Sequence, residues 1–377
     1  MQSEKYNLIF ENIYCTDIII NFESDYKMNK KFDYIIVGQG IAGTVLAFSM
    51  IKEGLSVLVI DDKTLSSCSK VAAGNFNPVV FKRLVKSWMA DELIPFSDKF
   101  YKEAEQFLGQ EFYWKKEIVK IFAEENEKEF WLNKAKSEDM SHYLSKTITT
   151  DFFTAVVNNP IGCAFVTDAA NLFVVKFLED FRNYFNQQQI LLDELFDFNL
   201  LIIEPNSVSY KEFSAKKIIF CEGYKISDNP YFNWIPFKPA KGEVLIVKIE
   251  NLPTDKIINK GVYILPIGDD LFIVGTTYDW VNLNDIPTEK ARKEISEKLS
   301  KVIKVPFEII DQQAGVRPSV NDRRPVIGLH PESVSVGVFN GMGTKGVMLA
   351  PYFSKQFIDF LEHTVPLNKE VNIERFR

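Results

Sequence analysis

The sequence predicts an α/β fold: a parallel sheet covered by helices, interleaved with a second region of antiparallel strands. Three observations carry this expectation. A strand–turn–helix–strand unit fills residues 33–60, and beyond Gly242 the apolar period moves toward two. A second strand, glycine-rich turn and helix then occupy residues 333–361. Elements of the first kind therefore lie on both sides of elements of the second.

Residues 33–37 are a β-rich apolar run ending at glycine, 43–53 carry a helical pattern closed by Gly54, and 56–60 read as a second buried strand. This is the smallest unit of a parallel dinucleotide-binding sheet. Residues 88–145 are rich in aromatics and charges, with helical spacing at Phe100, Ala104, Phe107 and Leu108. The Glu/Lys run at 124–139 reads as a solvated helix face. Residues 172–185 form another amphipathic helix, and 217–221 a short strand ending at Gly223. Strands follow at 243–249 and 262–267, the latter joined to 271–277 by the hairpin signal Gly268-Asp269-Asp270. A charged helix at 288–302 precedes the closing unit. No internal repeat or low-complexity linker divides the chain.

Composition narrows the functional classes. The chain has 377 residues, 46% of them apolar and 32 of them Phe, enough for two packed cores. Net charge is −7 with no strongly basic stretch, which argues against a polynucleotide groove. Cys15, Cys68, Cys163 and Cys221 stand far apart, as free thiols do in a reducing compartment, so a cytoplasmic location is expected. The three histidines, His142, His330 and His363, have no ligand spacing, and no metal site is expected. No apolar window is long enough to span a membrane. Residues 1–27 are acidic and carry no signal-peptide core, and Met28 stands directly ahead of the first strand. They are expected to be an extension ahead of a start at Met28, or a loose tail.

Four motifs carry chemistry. In Gly38-Gln39-Gly40-Ile41-Ala42-Gly43 the glycines permit a tight turn, close approach of a pyrophosphate and close helix packing, at a helix N-terminus that attracts anions. Asp61 ends the next strand, where a carboxylate accepts hydrogen bonds from ribose hydroxyls and repels a 2′-phosphate. The stretch from Ser69 through Ala73, Gly74 and Asn75 to Pro78 is lined with small residues that tolerate a flat ring or phosphate; a plain loop fits it as well. In Gly315-Val316-Arg317-Pro318 the guanidinium can clamp a carboxylate through two parallel bonds, or pair structurally with an acidic side chain. Asn340–Gly346 is a second anion-friendly helix start with Lys345 adding charge; an ordinary glycine turn has the same spacing.

Taken in order, these segments resemble the D-amino-acid oxidase and glycine oxidase family of FAD-dependent oxidoreductases, over roughly residues 32–376. The resemblance implies a Rossmann-like FAD-binding domain, discontinuous in sequence, at 28–84, 154–224 and 315–377. An interleaved α+β substrate domain on an antiparallel sheet would take 85–153 and 225–314. It implies non-covalent FAD, since no cysteine stands near Arg317 in sequence. FAD contacts are implied at Gly38, Gly40, Ile41, Ala42, Gly43, Asp61, Asp62, Ser69, Ala73, Gly74, Asn75 and Gly223. Further contacts are implied at Gly341, Met342, Gly343, Thr344, Lys345 and Gly346. Arg317 matches the arginine that binds the substrate carboxylate, Tyr263 a tyrosine that assists it, and Lys345 a charge facing the flavin. Cys221-Glu222-Gly223 departs from the family pattern of small residue, Thr or Ser, then glycine.

The expected reaction is hydride transfer from a small amino acid or secondary amine bearing a carboxylate to FAD, with oxygen as acceptor. The alternatives are a hydroxy-acid or polyol dehydrogenase using a carrier, and a non-catalytic flavin-binding or tRNA-modification-associated module. No nucleic acid partner is expected, and a homo-oligomer stays open.

Overall fold

Strand Lys30–Val37 sits in the middle of an eight-stranded sheet. The computed structural model describes residues 30–64 and 67–377, so the expectation for residues 1–27 lies outside the described residues. Ile35 and Ile36 are both completely buried although their side chains point to opposite faces. A strand covered on both sides reads as a continuous apolar run, as a parallel sheet requires. Its neighbours are Val57–Ile60 and Phe213–Phe220, both parallel to it. The carboxyl half of Phe213–Phe220 pairs in parallel with Ser333–Asn340, and the antiparallel hairpin Leu201–Glu204 and Ser207–Tyr210 pairs with its amino half.

Helix Ile41–Lys52 is buried at every position from Ala42 to Met50. It is apolar all round because it is enclosed between the sheet and helix Gly346–His363, where Ser49 and Ser354 hydroxyls meet at 2.7 Å. Helix Ala90–Leu108 packs outside these two: Ser97 and Tyr101 donate to the Met348 and Val347 carbonyls in the first turn of the last helix. The abundant Phe is spent here, in a contiguous ring cluster of Phe48, Phe100, Phe177 and Phe181.

The second sheet has seven strands, in the order Glu308–Arg317, Ala240–Lys248, Leu271–Gly275, Tyr263–Gly268, Ile257–Asn259, Ile118–Ile121 and Cys163–Val166. All pairs are antiparallel except Ile257–Asn259 with Ile118–Ile121. The expected hairpin turns at Asp269 and Asp270, both left-handed (φ 51° and 58°), the two-residue geometry that matches strand twist. Helix Glu289–Ser300, capped by the Thr288 hydroxyl, covers one face with Ile295 and Leu299. The other face is turned toward the first sheet.

The chain crosses between the two sheets repeatedly. It leaves the first after Ile60, returns at Leu191, leaves again for Ala240–Arg317 and returns at Val326. Cys163–Val166 belongs to the second sheet, as does the whole of Glu308–Arg317 including Arg317.

Asp33 ties the central strand to its neighbours, accepting from the Ser56 N–H at 2.8 Å and hydroxyl at 2.7 Å and pairing with Lys216 at 2.8 Å. Partial burial alone would raise its pKa, but Lys216 and the Ser56 donors outweigh it and hold the carboxyl at about 2. A depressed carboxylate pKa contributes stability above the unfolded value, lost as pH falls toward the folded value. Asp33→Asn should therefore lower the unfolding free energy by about 2 kcal/mol at neutral pH. In urea titrations that deficit should vanish between roughly pH 4 and pH 2. A deficit unchanged across that window would rule the carboxylate out as its source.

Candidate functional site

A cavity of about 880 Å³ runs between the two sheets, from the glycine turn after the first strand to Arg317. Its floor is backbone meeting backbone. At Gly38, in the left-handed region with φ 101°, a Cβ would lie 2.7 Å from the Cys221 carbonyl oxygen. At Gly43 it would lie 1.8 Å from the Gly38 carbonyl oxygen. Only glycine lets the helix start so close to the turn. Ser69 reaches over this floor: its hydroxyl accepts from Ile41 N–H at 3.1 Å and stands the same distance from where a Gly40 Cβ would be.

Asp61 closes one end. One carboxylate oxygen accepts from the Gln39 N–H at 2.8 Å and the other from Arg182 at 2.9 Å. Burial pulls the Asp61 carboxyl up, against the Gln39 N–H and the Arg182 guanidinium. Arg182 is 8% exposed and also binds the Gln39 side chain at 2.8 Å and Asp193 at 2.6 Å. Asp62 faces the same end, its carboxyl held low by the Thr64 hydroxyl and N–H. Ala73, Gly74 and Asn75 line the cavity wall, fastened by Asn171, which donates to the Ala73 carbonyl at 2.6 Å. A Cβ at Gly74 would lie 1.9 Å from the Leu172 carbonyl oxygen.

The last helix opens onto the same space. Met342, Gly343, Thr344, Lys345 and Gly346 line it, while Gly341 lies behind them against Val326. The Asn340 side chain joins this turn to Gly223 by donating to its carbonyl at 3.0 Å. Lys345 donates to the Ser87 hydroxyl, and burial, with Arg324 nearby, pulls its ammonium down to about 8.

The opposite wall is the second sheet. Gln313, Gly315 and Arg317 alternate along one face of their strand, and Gly242 lies directly across from Gly315. Neither glycine carries a side chain, so the Arg317 guanidinium lies back over Gly242, where a Cβ would stand 1.8 Å from Nη2. Arg317 donates to the Thr276 hydroxyl at 2.8 Å and packs 4.7 Å from the centre of the Tyr278 ring. No carboxylate is paired with it among the described residues. Tyr263 lies across Gly275, where a Cβ would be 3.2 Å from its hydroxyl. Burial pushes its phenol well up, with Arg317 opposing, so it stays protonated and able to donate.

Opposite these residues, Cys68 packs its Cα where a Gly315 Cβ would lie at 3.0 Å. The cysteine absent from the sequence around Arg317 thus comes near in space, from the short helix Cys68–Val71. Burial pushes this thiol up to about 11. A protonated thiol is a poor nucleophile.

Arg182, Asn171, Gly242, Thr276 and Tyr278 were not legible as site residues. Arg182 carries the signal of a charged side chain on the apolar face of an otherwise amphipathic helix, where Phe177, Leu178, Phe181 and Phe185 are also buried. Gly242 carries the signal of a glycine inside a strand pattern, which marks close approach.

The fit to a dinucleotide is decided by this geometry: a side-chain-free cradle at a helix N-terminus, a carboxylate at one end and cationic groups at the other. The Gly242 geometry yields a sharp test. Gly242→Ala meets only the far end of a flexible side chain, so the fold should persist while the guanidinium moves. Calorimetric affinity for a small carboxylate should fall by roughly tenfold or more, about 1.4 kcal/mol. Retained affinity would show that Arg317 does not need that position.

Residues 33–359 match the profile of the FAD dependent oxidoreductase (DAO) family. The chain is 21% identical to the glycine oxidase of Bacillus subtilis, over 92% of this chain and 95% of that protein. It is also 21% identical to the bifunctional tRNA 5-methylaminomethyl-2-thiouridine biosynthesis protein of Marinobacter nauticus, covering 86% of this chain but only 54% of that one. In fold it is similar to the glycine oxidase of Bacillus cereus, with a TM-score of 0.75 at 21% identity, covering 89% of this chain and 96% of that one. It is likewise similar to the L-proline dehydrogenase of P. horikoshii, with a TM-score of 0.73 at 16% identity, covering 92% and 96%. With the family profile spanning most of its length, the chain belongs to the DAO family of FAD-dependent oxidoreductases.

Proposed function

We propose that the protein oxidises a small amino acid or secondary amine bearing a carboxylate, with molecular oxygen as electron acceptor and FAD held non-covalently. The observation that carries this reading is Arg317: a guanidinium at the cavity wall, held by Thr276 and Tyr278 and paired with no carboxylate among the described residues. Such a group meets an anionic ligand with donors already oriented.

FAD, when bound, supplies the hydride acceptor. Arg317 binds the substrate carboxylate, and the protonated Tyr263 hydroxyl donates to it from strand Tyr263–Gly268 of the same sheet, with two strands between them. Together they orient the amine-bearing carbon, which is the larger part of what a flavoenzyme's protein must do. Loss of hydride from that carbon and of a proton from nitrogen leaves an imine, which water hydrolyses to a carbonyl compound and ammonia or an amine. Lys345 and the start of helix Gly346–His363 line the same cavity, and their positive charge would stabilise the anion of a reduced flavin held there. With the ammonium pulled down to about 8, that charge is present at neutral pH and lost as pH rises further.

Anaerobic addition of amino acids and N-methyl amino acids to the FAD-loaded protein should bleach the visible flavin band with at least one compound, and air should restore it. Bleaching by hydroxy acids alone would move the reading to a dehydrogenase of that class. Arg317→Ala should bind the bleaching compound more weakly by about 2–5 kcal/mol while keeping its flavin. Unchanged affinity in that variant would remove Arg317 from the substrate site.

A further inference from the structure

Glu222 lies in the stretch Cys221-Glu222-Gly223, which departs from the family pattern, and its surroundings are unlike those of an ordinary surface carboxylate. It follows strand Phe213–Phe220 and lines the cavity beside the glycine turn that begins at Gly38. Its backbone nitrogen lies 3.4 Å from where a Gly38 Cβ would stand. Asn229 donates to one carboxyl oxygen at 2.6 Å, and among the described residues no other hydrogen bond reaches the group. The facing turn, Gly38 to Gly43, has no titratable side chain. On its own segment Asp228 shares its sign and Lys225 opposes it, with the Cys221 thiol also close. Asp62 and Lys63 line the cavity from the loop after the second strand.

A fixed negative charge lining a cavity that takes a dinucleotide would be repelled by its two phosphate charges, the more so at low dielectric. A neutral carboxyl has a hydroxyl to donate. Resting on the reading that this cavity takes FAD, we propose that Glu222 is a cofactor-contacting residue that binds the dinucleotide phosphates as the neutral acid, donating a hydrogen bond to them. Burial pushes this carboxyl up to about 7. Phosphate charge beside it raises that value further, so cofactor binding and proton uptake are coupled. The sign follows. Below about pH 7 the proton is in place and affinity is full; above it, binding must recruit a proton and affinity falls with each unit of pH.

The test is the FAD dissociation constant of the full-length protein, read by the fluorescence of flavin released on dilution. Between about pH 6 and about pH 8.5 the wild-type constant should rise by roughly tenfold. Glu222→Gln keeps a donor that does not titrate, so its constant should rise clearly less than the wild-type constant over that range, any remaining rise being that of Lys345, whose ammonium also titrates there. Identical pH profiles for the two proteins, or a Gln variant that binds loosely even at low pH, would overturn the assignment. A thermal melt of each variant without FAD separates loss of fold from loss of the contact. Protein that takes up no FAD at any pH would instead defeat the reading of the cavity, whereas tight, pH-independent binding would defeat only the role of Glu222.

Discussion

The cavity depends on a shortage of side chains. Where the first strand, the first helix and strand Phe213–Phe220 converge, Gly38 touches the Cys221 carbonyl and Gly43 touches the Gly38 carbonyl, and a single methyl group at either place would collide with backbone. Backbone cannot move aside as a rotamer can, because each of these peptides is committed to the sheet or the helix. The same device recurs where the sheets face each other: Gly315 admits the backbone of Cys68, and Gly74 admits that of Leu172. A long cleft with N–H groups on its floor remains, suited to a cofactor with a phosphate centre and flat ends.

Charge is distributed along that cleft with equal economy. Arg182 holds Asp61, Asp193 and the Gln39 amide together, so three elements meet at one buried cation. At the other side Lys241 and Glu243 are almost wholly buried on the face of their strand opposite Gly242. Lys241 donates to Asn284 and the Ile286 carbonyl, while Glu243 accepts from Thr288 and Gln312. They fasten the segment that begins with Thr276 and Tyr278, the two residues holding Arg317. Buried charges with several donors and acceptors each are costly to disturb, and this pair is placed where a loose segment would cost the guanidinium its position.

The relation between substrate wall and cofactor cradle also explains the chain's path. Arg317 stands at the end of a strand in the second sheet, and within ten residues the chain is back in the first sheet at Val326. The segments of the glycine-lined cradle and those of the sheet that faces it are therefore close in sequence at the very place where they meet in space. Relative motion of the two sheets is restrained by covalent connections as well as by packing.

Much of this was readable from the residues alone. The unit from the first strand to Asp61 announces itself because its signals are local: apolar runs, glycines at fixed spacing, a carboxylate at a strand end. The hairpin at Asp269 and Asp270 is legible for the same reason. Strand Glu308–Arg317 escaped notice because its first half is polar and half-exposed, so the alternation that marks a strand is weak there. The partners of Arg317 come from residues 242 and 276–278, and those of Asp61 from 182 and 193, distances over which spacing carries no information. The sequence by itself determined the fold class and singled out the glycine turn, Asp61 and Arg317 as candidates. Only the tertiary structure decided that Gly242 makes room for that arginine, that Arg182 pairs with Asp61 and that Glu222 lies beside Gly38. Each of these is a contact between strands or helices whose proximity is set by sheet order, and sheet order is a property of the whole packed chain.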